Sequence, residues 1–180
     1  MAYTTPPTFV SGDPLTAAEL NVLGGDIEHL YGIALGVTAS GAQVTRGSNQ
    51  SLSDSTTTSI SWTAEAFDFG TWWSSGTDIV VPAGAIPAGY TTILVHVVAS
   101  VRFASNGTGY RSLTLYINGS QVGNSPNTSA ISGETTTVTL NRYAEVASGD
   151  VITIRATQTS GGALNAANSE ATVVRHAPAS

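Results

Sequence analysis

The hydrophobic pattern changes period near Val37. Ahead of it, Leu20, Leu23, Ile27 and Leu30 recur at spacings of three, four and three, the a/d seam of two heptads, and predict a helix over 14–31. Thr16-Ala17-Ala18-Glu19 is a capping box in which the Thr hydroxyl and the Glu carboxylate satisfy free amides reciprocally, and Asp13-Pro14 also suits a helix start. Gly24 and Gly25 each cost about 1 kcal/mol in a helix, so this segment needs a surface to cover its stripe. Two surfaces fit: the chain's own β domain, or a symmetry axis or larger assembly. Residues 1–12 read as an extended arm, because Pro6-Pro7 forbids helix there. Tyr3, Phe9 and Val10 are apolar handles expected to dock that arm on a partner.

Beyond Val37 the period is two. Thr91–Phe103 is the clearest strand: Ile93, Val95, Val97, Ala99, Val101 and Phe103 share one dry face. Leu94, His96, Val98, Ser100 and Arg102 form the other, mixed face, which suits solvent or a neighbour. Arg111–Ile117 repeats the alternation, with Leu113, Leu115 and Ile117 against Ser112, Thr114 and Tyr116. Thr57–Trp62, Asp78–Val81, Thr135–Val146, Val151–Thr157 and Ala171–His176 are further strands, and Asn118-Gly119 is the strongest hairpin turn. Eight to ten evenly spaced strands after one helix predict a mainly β chain, a jelly-roll β-sandwich with a short N-terminal arm and helix. The expected division is an arm and anchor helix over 1–35, a Gly- and Ser-rich linker over 36–50, and the sandwich over 51–180.

Composition narrows the chemistry. The 180 residues hold no Cys, which removes thiol catalysis, Cys-ligated zinc, iron–sulfur clusters and a disulfide scaffold. All six cations are Arg and the net charge is −6, so a Schiff-base lysine, a Walker-type loop and a polybasic patch for nucleic acid or membrane are not expected. By count 25 Thr and 21 Ser make a quarter of the chain, which fits strands and turns. The first residues have neither the cation nor the apolar run of a signal peptide, and no window has the about 18 apolar residues of a membrane span.

No site for catalysis stands out. His29, His96 and His176 form no HxH, HExxH or HxxxH pair and read as surface or interface residues. There is no G-x-S-x-G elbow and no G-x-G-x-x-G loop, and the carboxylates are scattered, Glu65 and Asp68 being one close pair. Neither a cofactor nor a metal is expected, although loop carboxylates such as Asp54, Asp68 and Asp78 are of a type that holds calcium. Four N-x-[ST] triplets, at Asn49, Asn106, Asn118 and Asn127, are explained by the abundance of Ser and Thr. Trp62, Phe67, Phe69, Trp72 and Trp73 cluster within twelve residues. They either plug one end of the sandwich or expose Trp72-Trp73 as a platform for a glycan or a partner protein.

The order of motifs from Asn49 to His176 resembles the jelly-roll domain of complement globular heads and tumour-necrosis-factor-like cytokines, in its bacterial and bacteriophage form. Gln50-Ser51-Leu52 and Thr58-Ser59-Ile60-Ser61-Trp62 resemble its opening strands, Glu65-Ala66-Phe67-Asp68 its E-x-F-D turn, and Val101 to Arg111, through Asn106-Gly107-Thr108-Gly109-Tyr110, is the most specific match. Ile117-Asn118-Gly119, Gly149-Asp150-Val151-Ile152 and Gln158 to Leu164 follow in order. Pro7 to Asn21, with its Leu15-Thr16-Ala17-Ala18-Glu19-Leu20-Asn21 helix, is similar to the start of many phage virion proteins. The resemblance implies a homotrimeric, non-enzymatic protein on a virion surface, assembled in the host cytoplasm. The short linker, without a shaft, suits a capsid decoration or short head fibre held through Leu20, Leu23, Ile27 and Leu30. A minor tail or tail-tip protein that contacts a host surface glycan is the alternative. Expected partners are the chain itself and phage capsid or tail proteins, with no nucleic acid and no membrane.

Overall fold

The computed structural model describes residues 40–178. The arm over 1–12 and the helix over 14–31, with Tyr3, Phe9, Val10, Leu20, Leu23, Ile27 and Leu30, lie outside the described residues, as does His29. Twelve strands follow: β1 Gly41–Arg46, β2 Gln50–Leu52, β3 Thr58–Ser59, β4 Ala64–Phe69, β5 Ile79–Val80, β6 Thr92–Phe103, β7 Tyr110–Ile117, β8 Ser120–Val122, β9 Asn127–Ser129, β10 Thr136–Ala147, β11 Val151–Gln158 and β12 Leu164–Pro178. One 3-10 turn, Ala83–Ala85, sits between β5 and β6. The first sheet runs β10-β6-β12-β1-β4, with β2 also on β12. The second runs β3-β11-β7-β8, with β5 on β11 and β9 on β7. Every pairing is antiparallel. The result is the expected jelly-roll sandwich.

The core follows the alternation. On β6 all of Ile93, Val95, Val97, Ala99, Val101 and Phe103 are fully buried, facing Leu113 and Leu115 of β7 and Ile152 and Ile154 of β11 across the sandwich. The larger of these side chains contribute about 1.5–3 kcal/mol each by burial. Asn118-Gly119 forms the β7–β8 turn with both residues at positive φ, 50° and 77°, as a tight hairpin of this type requires.

Two expectations are corrected. The stretch 36–50 is not a linker throughout: Gly41–Arg46 is β1, hydrogen-bonded between β12 and β4, with Ala42 and Val44 fully buried. Gly41 makes this possible, since a Cβ there would overlap the Val173 carbonyl oxygen. Glu65–Asp68 is not a turn but part of β4, and the turn starts at Gly70. The Ser112, Thr114 and Tyr116 face of β7 is covered by its own chain: Thr114 Oγ1 meets Ser125 Oγ at 2.6 Å, and the Arg155 guanidinium lies 3.9 Å from the Tyr116 ring centroid.

Arg111 is the one charged side chain wholly inside the described domain, at 0% exposure. It has no carboxylate partner among the described residues. Nη1 donates to the carbonyls of Thr108 and Tyr110, and Nη2 to that of Asn106, each at 3.0 Å. The guanidinium therefore ties down the loop between β6 and β7, and burial lowers its pKa.

Candidate functional site

The outer face of the first sheet is the surface on which strand register gathers exposed aromatic groups. Residues directly opposite in neighbouring strands share a face. One rung across all five strands reads Tyr143, His96, Val174, Gly41, Phe69 from β10 to β4. The next reads Asn141, Val98, Thr172, Gln43, Phe67. A third, Thr139, Ser100, Glu170, Thr45, Ala64, is polar except at its end.

The first two rungs carry two unlike clusters at opposite edges. On the β10 side the His96 and Tyr143 rings stack with centroids 4.5 Å apart, and His176 meets Tyr143 edge-on at 5.1 Å. His96 Nε2 and Asn141 Oδ1 are 2.8 Å apart, which fixes the imidazole orientation. On the β4 side Phe67 and Phe69 stack at 5.3 Å. Tyr143 is 53% exposed and Phe69 52%. Four strand spacings separate the edge strands, about 19 Å. Val98, Val174 and Leu94 lie between, half-buried. These two rungs hold no Asp, Glu, Lys or Arg, and their aromatic and aliphatic groups are interrupted only by neutral polar side chains, a surface of the kind that marks an interaction site.

The tryptophan platform is not there. Trp72 is fully buried, its indole Nε1 donating to Ser40 Oγ at 3.2 Å. Its amide donates to Asp68 Oδ1 and the Trp73 amide to Asp68 Oδ2, both at 2.9 Å. One carboxylate thus folds the turn after β4 and drives Trp72 into the core. Trp73 is partly buried against that core and donates from Nε1 to the Gly76 carbonyl. Phe67 and Phe69, grouped with the tryptophans in the sequence, face outward instead. Sequence reasoning missed Tyr143 and did not separate Phe67 and Phe69 from the tryptophans beside them; His96 and His176 were assigned to a surface or interface but not to each other. Only the register across strands unites them.

The loop carboxylates are apart and separately engaged. Asp54 accepts from the Gly161 amide, Asp68 from the two Trp amides and Asp78 from Thr77. Among the described residues no three His, Cys, Asp or Glu side chains converge on a metal-sized site.

No protein family and no curated protein matches at the level of sequence. Solved structures match at the level of fold. The globular domain of zebrafish complement 1qA protein is 11% identical, with a TM-score of 0.54, and the match covers 74% of this chain and 94% of that one. Murine APRIL is 15% identical with a TM-score of 0.57, over 77% and 100%. The Eiger TNF of S. frugiperda is 14% identical with a TM-score of 0.54, over 79% and 95%. The chain therefore has the jelly-roll fold of complement 1q and TNF domains.

Proposed function

We propose that the chain is a non-enzymatic, homotrimeric surface protein of a bacteriophage particle, a capsid decoration or short head fibre held through residues 1–35. The observation that carries the trimer is the pair of unlike aromatic clusters on opposite edges of one sheet face. A twofold interface sets one patch against itself, whereas unlike patches that meet build a ring when the rotation closes. The fold shared with complement 1q and TNF domains favours three copies. The virion position rests on the similarity of residues 7–21 to the start of phage virion proteins, and on the helix stripe of Leu20, Leu23, Ile27 and Leu30, which needs a covering surface.

Light scattering of the full chain should give the mass of three copies. Deleting residues 1–35 should leave a folded trimer that no longer occupies phage particles. A monomeric full chain refutes the assembly. A truncated protein that decorates particles at full occupancy refutes the anchor.

The tail-tip reading has one observation in its favour. Tyr110, the first residue of β7, and Ile131, in the loop between β9 and β10, are 44% and 63% exposed and lie together at the Phe103 end of β6. Copy number per virion separates the readings, many copies for decoration and few for a tail tip.

A further inference from the structure

At the Phe103 end of the first sheet, beyond the aromatic rungs, is a cleft of about 210 Å³ lined by Asn49, Arg102, Thr135, Asn165, Ala167 and Asn168 among others. Its polar side chains, those of Asn49, Arg102, Asn165 and Asn168, are exposed and bond little to the rest of the chain. Arg102 Nε donates to Thr135 Oγ1 at 3.2 Å, which fixes the plane of the guanidinium, while its two Nη groups have no partner among the described residues. The same holds for the carboxamides of Asn49, Asn165 and Asn168. No carboxylate lines the cleft; the nearest in sequence are Glu134, beside Thr135, and Glu170, whose Oε2 accepts from Gln43.

The wall of the cleft is also locally strained. The β12 register slips between Ala167 and Glu170, where it pairs with β6. Asn168 in that bulge has φ 49°, a left-handed conformation that few non-glycine residues adopt. Bulges re-aim side chains, and strain of this kind collects at ligand sites.

We propose that this cleft binds a single carboxylated sugar residue, with the Arg102 fork on the carboxylate and the asparagine carboxamides on the ring hydroxyls. A guanidinium with two free Nη groups matches the two oxygens of a carboxylate. Each carboxamide both donates and accepts, as a sugar hydroxyl does, and a ring presents several hydroxyls spread over its edge, whereas inorganic phosphate near neutral pH offers at most one or two O–H donors on a single compact centre and cannot answer three carboxamides at once. The volume lies below the roughly 300–1,000 Å³ of sites for drug-sized ligands, so it suits one ring and not an extended oligosaccharide. Arg102 lies six positions along β6 from His96, about 20 Å, so the cleft stands clear of the aromatic rungs. The inference adds a ligand to the proposed surface module and holds whether or not the chain is trimeric.

The test is titration of the full-length protein, by calorimetry or by NMR shifts, with four probes: methyl β-glucuronide, the methyl glycoside of N-acetylneuraminic acid, methyl β-glucoside and inorganic phosphate. At least one carboxylated glycoside should bind about tenfold or more tighter than the neutral glucoside, the effect of one charge-assisted contact. Arg102→Gln and Arg102→Lys should each lose about that factor. Asn168→Gly keeps the backbone conformation and removes one carboxamide, so it should weaken binding with the melting temperature unchanged. If Arg102→Gln fails to fold, Asn168→Gly decides. No preference for either carboxylated sugar, binding untouched by these substitutions, or phosphate binding as well as the sugars and indifferent to Asn168→Gly would each overturn the proposal.

Discussion

Replacing Arg111 by Met removes a buried cation while nearly keeping its volume. Three carbonyls, of Asn106, Thr108 and Tyr110, then lose their donor. Hydrogen bonds to a charged group contribute about 1.5–3 kcal/mol each, so the gross loss is about 4.5–9 kcal/mol. Against it stands the desolvation of the guanidinium, several kcal/mol that the variant no longer bears. The carbonyls also recover water in part, because Thr108 and Tyr110 are exposed residues. A net destabilisation of about 2–4 kcal/mol remains, which for a domain of this size lowers the melting temperature by roughly 5–15 °C. Lys at this position has no planar fork to reach three carbonyls and should recover only part of the loss. The loss should be local at first, with faster amide exchange in residues 104–110. The sign with pH follows from the lowered pKa. A pKa that falls on folding means that the cation is less favourable in the folded chain than the neutral guanidine would be at every pH below that value, and deprotonation far above neutrality would relieve that difference. Wild-type stability should therefore show no Arg111 step between about pH 5 and 9. Denaturant melts of both variants, with hydrogen exchange on Arg111→Met, measure this. An Arg111→Met protein as stable as wild type would refute the reasoning, by showing that desolvation cancels the three hydrogen bonds.

Two further perturbations probe the frame around the interaction face. Gly41→Ala should detach β1 from β12, because the added Cβ overlaps the Val173 carbonyl; the expected cost is at least about 2 kcal/mol in a denaturant melt, and a loss under about 0.5 kcal/mol would contradict it. Asp68→Ala leaves the Trp72 and Trp73 amides without their acceptor, at about 1–3 kcal/mol, and should shift tryptophan emission to the red as Trp72 gains water; unchanged emission and stability would show that the turn holds without the carboxylate.

The parts of the fold that could be read from the sequence are those in which alternation alone decides the outcome. β6 carries a long run with every second residue apolar and its inner face is buried as expected, and β10 does the same at Val138, Leu140, Ala144 and Val146, with Arg142 interrupting the run. β1 escaped because its inward residues, Ala42 and Val44, are small and follow Gly41, whose requirement arises from the Val173 backbone 132 positions away. β12 was predicted from Ala171, but begins at Leu164, because the bulge at 167–170 breaks the period of two. The aromatic run 62–73 was legible as a cluster, but not its division: the turn at Gly70 and Thr71, held by Asp68, sends Trp72 inward while Phe67 and Phe69 stay outside. The stacking of His96 on Tyr143 spans 47 positions and exists only through the β6–β10 register, which no local pattern states.

The most direct test of the account mixes two single variants, Tyr143→Asp and Phe69→Asp. Each places a charge in one of the two exposed aromatic clusters, and each alone should be monomeric by light scattering, with its fold retained. If the clusters of neighbouring copies meet each other, a mixture restores one contact, between the intact Phe67–Phe69 cluster of the first variant and the intact Tyr143–His96 cluster of the second. The mixture should then give a one-to-one dimer that cannot close into a ring. A mixture that stays monomeric while wild type is trimeric, or single variants that remain trimers, would contradict an assembly built from these two edges.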